Sequence, residues 1–308
     1  MEKYDLIIIG GSAAATAAGI YAKRRNLNFK IISKDFGGEV ATSGEVDNYP
    51  GIPDTDGLAL AEKFKKHLAD YGVEPETGVE VEKINKLEDG TFSIIAKKGK
   101  EYISKAVIIS TGVHPRELNV PGEKEFRNKG VSYCSVCDMP LFSGKVVATI
   151  GGGNSVLESG IMGADIASKV YVINKNPAFK GDQILMDNLS GKKNVEIIYN
   201  AMTTKIIGDG FVSGLKYKDS KTGKEKDVKV DGVFIHIGMI PNSGLAPEGV
   251  EKNNFGEIIV SKNCETSMFG LFAAGDVTDV PFKQIVIAAG QGTCALLQAV
   301  SYLNRLKQ

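Results

Sequence analysis

The chain has 308 residues, 43% of them hydrophobic, which is enough for two ordinary domains or one large one, each with a buried core. Lys plus Arg and Asp plus Glu are equal at 37 each, so no net field exists to hold nucleic acid or an anionic membrane, although a local patch can still bind a phosphate. No run of residues approaches the roughly 18 apolar positions expected of a membrane-spanning helix, so a cytoplasmic protein is expected, a setting where a disulfide is more often catalytic than structural.

In chain order the first element begins almost at once. The start, MEKYDLIIIGG, has an acid before a short apolar run that enters a glycine turn directly, the pattern of a strand and not of a signal peptide. Residues 5–9, DLIII, stop at Gly10-Gly11-Ser12, and the following AAATAAGIYAKRR is rich in small residues that let a helix pack closely on a strand. A dinucleotide turn needs small residues for the tight bend, for approach of the pyrophosphate and for helix–sheet packing. Gly10, Ser12 and Ala15 hold those three places. Ser12 departs from glycine at the closest approach, although its hydroxyl can donate to a phosphate oxygen. Alone, the stretch reads equally well as an ordinary helix start. His67 lies in the charged run EKFKKH, a solvated helix face. The patterns TFSIIAKK and EYISKAVII then alternate as strands and close at Ser110-Thr111-Gly112.

Residues 133–140, YCSVCDMP, admit three accounts: half a zinc site, a structural staple, or a dithiol that carries electrons. Zinc would need Cys264 and Cys294, which are singletons far apart in the sequence. A staple across three positions closes too short a loop to restrict the unfolded chain much. A redox pair remains, and it needs an electron source.

KVVATI, residues 145–150, is a second strand that stops at Gly151-Gly152-Gly153-Asn154-Ser155 before the helical VLESGIMGADIA. Two dinucleotide turns suggest two nucleotides, although Val156 in the third fingerprint place makes close helix packing harder. VEIIYN, FVSGLKYKD and KEKDVKVDGVFIHIG follow, ending at Gly238, and His236 within the last of these strands reads as structural. The fold expected is α/β: two doubly wound, Rossmann-like nucleotide-binding domains, each with an inserted antiparallel β meander. Near the end, GLFAAGDVTDVPFKQIVIAAGQG sets Gly275-Asp276 between an apolar segment and a helix. Asp276 suits either the hydroxyls of a flavin's ribityl chain or a helix cap. Cys294 reads as a small core residue.

Taken together, GGSAAA, GGEVATSGEVDNYPG at 37–51, STG, YCSVCD, GGGNS, HIGMIPN and AAGDVTDVPFKQI resemble the low-molecular-weight thioredoxin reductases, and still more the reductase portion of the flavoprotein subunit of bacterial alkyl hydroperoxide reductase. The likeness covers essentially the whole sequence. It implies FAD on residues 1–114 and 244–308, held by Gly10, Ser12, Ala15, Gly37, Gly38, Glu39, Val40, Asn48, Thr111, Gly112, Gly275, Asp276, Lys283, Gln284 and Ile285. Glu39 stands where the family usually has Gln. The likeness implies NADH or NADPH on residues 115–243, held by Gly151, Gly153, Asn154, Ser155, Asn174, Lys175, Lys180 and Gly238. It further implies that Cys134 attacks a partner disulfide, that Cys137 contacts the flavin, and that Asp138 donates and accepts the proton; Asp138 also suits a helix cap. One domain is expected to rotate against the other about residues 113–119 and 241–246, stiffened by Pro115, Pro121 and Pro241.

The peroxide-reductase flavoprotein carries a further N-terminal thioredoxin-like region, whereas Met1 here stands almost on the first strand. Electrons are therefore expected to leave to a separate thioredoxin- or glutaredoxin-like protein, from a homodimer. Asn174, Lys175 and Lys180 match neither the arginine clamp for a 2′-phosphate nor the acid of NADH users; the overall likeness favours NADH. The alternatives are a FAD-dependent dithiol oxidase that uses oxygen without nicotinamide, and a nucleotide-binding redox sensor.

Overall fold

A strand that is apolar at every position must be covered on both faces, and this requirement organises both halves of the molecule. A computed structural model describes residues 2–43 and 45–306. The opening run forms β1 (Glu2–Ile9), followed by α1 (Ala13–Arg24) and β2 (Phe29–Ile32). α2 (Gly57–Asp70) starts where the Asp56 carboxylate accepts the Ala59 N–H at 2.8 Å; it buries Leu60, Phe64 and Leu68 along one stripe and leaves His67 exposed. Three strands follow, β3 (Val81–Lys86), β4 (Phe92–Ala96) and β5 (Glu101–Ile109).

The chain continues through β6 (Val131–Ser132), the one-turn helix α3 (Ser135–Asp138), β7 (Val146–Gly151), α4 (Asn154–Ile166), β8 (Lys169–Asn174), α5 (Gln183–Ser190) and β9 (Val195–Tyr199). A meander of β10 (Ala201–Asp209), β11 (Phe211–Asp219) and β12 (Glu225–Val228) precedes β13 (Gly232–His236). β14 (Leu271–Ala273) and α6 (Ile285–Arg305) come last.

These elements fall into two compact units, one made of Met1–His114 with Ile240–Gln308 and the other of Pro115–Met239. In the first unit the strand order is β2-β1-β5-β4-β3, with β14 beside β5. β5 changes partner along its length: its first half pairs antiparallel with β4, and its second half pairs parallel with β14, Val107 opposite Leu271. The meander is thus continuous with the parallel sheet. Leu6, Ile8, Ala106 and Ile108 face α1 and α6, while Ile7, Ile9, Val107 and Ile109 face a second core with Ile84, Ile94 and Ile258. The second unit has five parallel strands in the order β9-β8-β7-β13-β6 and a separate antiparallel sheet β10-β11-β12. One face of the parallel sheet packs on α4 and α5, the other on Val212, Leu215 and Tyr217 of the meander. Both units are Rossmann-like, each with its antiparallel meander.

The first unit is stitched together across the intervening residues by Asn242. Its N–H donates to the Gly112 carbonyl at 3.0 Å, its side-chain amide to the Thr111 carbonyl at 2.8 Å, and its own carbonyl accepts the Thr111 hydroxyl at 2.7 Å.

α6 corrects one expectation. It has 21 residues and is long and apolar enough to cross a bilayer by length and composition alone. Gln291, Thr293, Gln298 and Ser301 interrupt it in the sequence, and Ala295, Leu296, Ala299 and Leu303 are buried with α1 in the core of the first unit. α6 approaches α1 at Gly292, where a Cβ would stand 2.1 Å from the Ala14 carbonyl oxygen. Gly292→Ala therefore gains about 1 kcal/mol of helix propensity but forces the two helices apart, for a net loss of roughly 1–2 kcal/mol. Urea unfolding followed by circular dichroism measures it; an unchanged or higher midpoint contradicts the close packing.

Candidate redox and nucleotide sites

Cys134 and Cys137 form a disulfide, with Cα atoms 5.3 Å apart, at the start of α3. Cys134 occupies the cap position of this one-turn helix, and its sulfur accepts the Cys137 N–H at 3.3 Å. Beneath the pair, Ser132 acts as a hub. Its hydroxyl accepts the Cys134 N–H at 3.0 Å and donates to Asp138 Oδ2 at 2.5 Å. The other oxygen, Asp138 Oδ1, is buried without a hydrogen-bond partner among the described residues. Burial pushes the Asp138 carboxyl up from its ordinary range, and the Ser132 hydrogen bond only partly opposes this. An acid held toward its protonated form, with one oxygen unspent, is thus built next to a disulfide. The residue before the pair is anchored as well: the Tyr133 hydroxyl donates to Glu123 at 2.9 Å, and the buried Glu123 carboxylate accepts the Leu118 and Asn119 N–H groups at 2.8 and 2.6 Å.

Ser135, between the cysteines, points the other way into a chain of buried polar groups. Its hydroxyl shares hydrogen bonds with His236 Nε2 at 2.7 Å and Ser159 Oγ at 2.6 Å, and Thr149 donates to Ser159 at 2.9 Å. Thr149 lies on β7, Ser159 on α4 and His236 at the end of β13, so the short turn is tied to three elements of its own unit. Burial lowers the His236 pKa from 6.5 to about 4 and keeps the ring neutral. Neither Ser132, Ser135 nor His236 stood out in the sequence as belonging to the dithiol, because hydrogen bonds between distant positions leave no periodic trace.

His236 also shapes the neighbouring turn. A Cβ at Gly151 would lie 2.2 Å from the His236 carbonyl oxygen, so only glycine lets β7 end against β13. α4 begins immediately afterwards; its cap residue, Gly153, offers no side chain, and Asn154 and Ser155 are exposed at its first turn. The free N–H groups there face outward, the arrangement that takes a phosphate. The Asn154 amide donates to Asp182 at 2.9 Å. The Lys180 N–H donates to the Gly152 carbonyl at 2.7 Å, and Asn174 lies with its side-chain oxygen 3.1 Å from where a Gly152 Cβ would be, so these positions form one rim. Asn174 is fully buried, accepting the Asn176 N–H at 2.9 Å and donating to the Ala178 carbonyl at 3.1 Å. Lys175 and Lys180 are exposed, and Gly238 lies just beyond β13 with φ +110°. Val156 is fully buried and does not hold the helix off: Gly160 and Gly163, one and two turns on, bring α4 against Val172 and Val170.

In the first unit the same close approach recurs at Gly10, whose Cβ would stand 2.2 Å from the Ser110 carbonyl oxygen. Ser12 caps α1 without a side-chain hydrogen bond of its own, and Ala15 is buried. The Gly37 N–H donates to the Gly11 carbonyl at 2.6 Å, which folds the 37–40 turn onto the first one, with Gly38 exposed and Val40 buried. Asn48 donates to Gln284 at 3.3 Å, immediately before Ile285 opens α6. The Gly275 N–H donates to Gln291 at 2.8 Å, and Lys283 pairs with Glu257 at 2.9 Å. Thr111 and Gly112 sit on the Asn242 stitch. Asp276 is the focus. Its Oδ1 is buried with no partner among the described residues, and burial pushes its carboxyl up to about 6, opposed by Lys283 and reinforced by Glu39. Glu39 is thus near enough to Asp276 to act on it electrostatically. An unspent buried carboxylate oxygen suits a polyol hydroxyl, and the uncapped α1 suits a phosphate, so these residues fit a flavin dinucleotide. Ser33 was missed: its hydroxyl is buried beside Gly11 without a partner among the described residues, just after β2, where the fingerprint puts a ribose-binding side chain about 20 residues after the turn.

Two glycine turns that fit dinucleotides and a disulfide beside a buried acid are the parts of an enzyme that moves electrons between a nucleotide and a disulfide. The chain belongs to the pyridine nucleotide-disulphide oxidoreductase family, whose family model matches residues 4–292. It is 41% identical over 309 residues to the F component of the alkyl hydroperoxide reductase of Escherichia coli (99% of this chain, 59% of the relative), and 41% identical over 304 residues to an NADH dehydrogenase of Bacillus subtilis (99% and 59%). The chain thus spans about three-fifths of the length of these curated relatives. The thioredoxin reductase of Streptococcus pyogenes superposes with a TM-score of 0.92 at 33% identity, over 98% of this chain and 99% of that one. Family and neighbours imply FAD and NAD(P)H as cofactors.

The His236 anchor has a pH signature. Its folded-state pKa is lowered, so the unfolded chain takes up a proton that the folded protein refuses, and stability is lost as pH falls from about 6.5 through about 4. Between pH 7.5 and 4.5 the protein is expected to lose about 2.5 kcal/mol more than the H236Q variant. Urea unfolding of both at the two pH values checks this; parallel losses would mean that the ring is not held neutral.

Proposed function

We propose that the protein is an NAD(P)H-dependent, FAD-linked protein-disulfide reductase that passes electrons through Cys134 and Cys137 to a thioredoxin- or glutaredoxin-like protein. The observation that carries the proposal is the unspent, buried Asp138 oxygen beside a disulfide in the unit with the second dinucleotide turn. When bound, FAD accepts a hydride from the nicotinamide and hands on two electrons. The residues of the chain do the rest. Gly151, Gly153 and the first turn of α4, with Asn154 and Ser155, receive the pyrophosphate of the nicotinamide nucleotide, and Gly10, Ser12 and the first turn of α1 that of the flavin nucleotide. Asp276 accepts a hydrogen bond from a flavin polyol hydroxyl.

At the dithiol, the Cys137 N–H that points to the Cys134 sulfur stabilises a thiolate there, which supports Cys134 as the atom that attacks the partner's disulfide. Cys137 then attacks the Cys134 sulfur of the mixed disulfide, which re-forms the Cys134–Cys137 bond and releases the partner's sulfur as a thiolate. Asp138, held toward its protonated form, gives its proton to the first partner thiolate released and regains one from the Cys137 thiol as that sulfur becomes the nucleophile; the second partner thiolate is protonated by solvent. Val136 and Leu141 are exposed on either side of Cys137 and Asp138, a small apolar rim suited to a protein substrate. NADH is proposed over NADPH. The Asn174 amide is already spent inside its loop, and the exposed cations that flank it, Lys175 and Lys180, are point charges, a poor match for a 2′-phosphate.

Anaerobic mixing of the FAD-loaded protein with NADH and NADPH in separate experiments tests the proposal. Rapid flavin bleaching by NADH, slower with NADPH, is expected; bleaching by a small dithiol and by neither nucleotide would instead indicate a dithiol oxidase. In the D138N variant NADH should bleach the flavin as in the wild type, while turnover with a thioredoxin-like acceptor falls on the order of 100-fold. Unchanged turnover would remove Asp138 from the mechanism.

A further inference from the structure

The two cysteines outside the dithiol are brought together by the fold. Cys264 closes a tight turn, its N–H donating to the Ser261 carbonyl at 2.8 Å, with φ +62°, a left-handed conformation uncommon for a residue other than glycine. Its sulfur is directed at α6, donating to the Gln291 carbonyl at 3.6 Å. Cys294, on α6, points back and donates to the Lys262 carbonyl at 3.7 Å. Each thiol thus reaches the backbone within three residues of the other, and Cys294 is near enough to Cys264 to act on its thiol. Neither takes part in the chemistry proposed above.

We propose that Cys264 and Cys294 are a second redox-active pair, which a hydroperoxide converts to a disulfide that staples the 261–266 turn to α6. The two thiols differ as an initiating and a resolving sulfur should. Cys264 is almost fully buried, and burial together with its neighbour Cys294 pushes its thiol up to about 12, so it stays protonated. Cys294 is only half-buried and meets the oxidant first. Its sulfur attacks the peroxide O–O bond, becoming a sulfenic acid and releasing the alcohol, or water from hydrogen peroxide. The Cys264 sulfur then displaces the hydroxyl, the S–S bond forms, and water leaves with the Cys264 proton. Two electrons have passed from the sulfurs to the peroxide, and an external dithiol returns them. The bond closes a loop of thirty residues containing the Gly275–Thr278 turn, which Gln291 already holds through the Gly275 N–H at 2.8 Å and the Thr278 hydroxyl at 3.4 Å.

Mass spectrometry of the full-length protein decides the question. Fully reduced protein is treated with one equivalent of hydrogen peroxide, acid-quenched, alkylated in denaturant and digested with trypsin. Cys264 and Cys294 then fall on separate peptides, residues 263–283 and 284–305, and the dithiol on a third, residues 130–145. A linked 263–283/284–305 pair is expected, abolished in C294S and reversed by dithiothreitol, together with a rise in the thermal midpoint of roughly 5–10 °C in the linked protein. Linkage of either cysteine to the 130–145 peptide, or Cys294 trapped by dimedone with Cys264 left free, overturns the proposal. An unchanged or lowered midpoint in linked protein overturns the stapling role.

Discussion

At the carboxyl end of β13 a single residue meets two demands at once. The backbone carbonyl of His236 lies where a side chain at residue 151 would have to go, and its ring nitrogen holds Ser135 between the two cysteines. The first contact makes glycine obligatory at the dinucleotide turn. The second fixes the dithiol turn to the sheet and not to solvent. A one-turn helix has little stability of its own, because nucleation fixes several dihedrals for one hydrogen bond. The positioning of α3 must therefore come from outside it. Ser132 and Asp138 hold it from one side, the Ser135–Ser159–Thr149 chain and His236 from the other, and all of these groups are at least partly buried. Leaving one such group without its partner costs about 1–3 kcal/mol, so the arrangement favours a single geometry for the sulfurs.

The first unit solves the same problem with different residues. The end of β1 is pressed against β5 at Gly10 and Ser110 as the end of β7 is against β13, and in both units an uncapped helix starts within three residues of the close contact. What differs is what stands opposite the turn. The second unit places a neutral imidazole and a disulfide there. The first places a buried carboxylate, Asp276, with Glu39 near enough to raise its pKa further. A buried carboxylate oxygen with no partner among the described residues is expensive by itself, and a ligand hydroxyl that donates to it would offset that cost. The duplication is thus one of backbone geometry, with each copy given its own chemistry by side chains that arrive from later in the chain.

This division explains what could be read from the sequence. The glycine turns, the apolar strands and the alternating meanders are local patterns, and the two Rossmann-like units follow from them. β10 and β6 were not anticipated: β10 follows β9 after a single residue, Asn200, and β6 is only two residues long. The difficulty expected from Val156 does not arise, because the intimacy of α4 with its sheet is supplied further along, at Gly160 and Gly163. Ser33 lay within reach of the fingerprint's own spacing. By contrast, His236 beside Ser135 and Cys264 beside Cys294 depend on contacts across 101 and 30 positions, and no window of sequence contains both partners.

The central claim is that the Cys134–Cys137 disulfide and a bound flavin form one electron-transfer system. An anaerobic reductive titration of the FAD-loaded protein with NADH, followed by flavin absorbance and by thiol counting, addresses it directly. The wild type should consume twice the reductant of a C134S/C137S variant before the flavin is fully bleached, with two new thiols appearing at Cys134 and Cys137. Equal consumption by the two proteins, with the disulfide still intact beside a reduced flavin, would contradict the account.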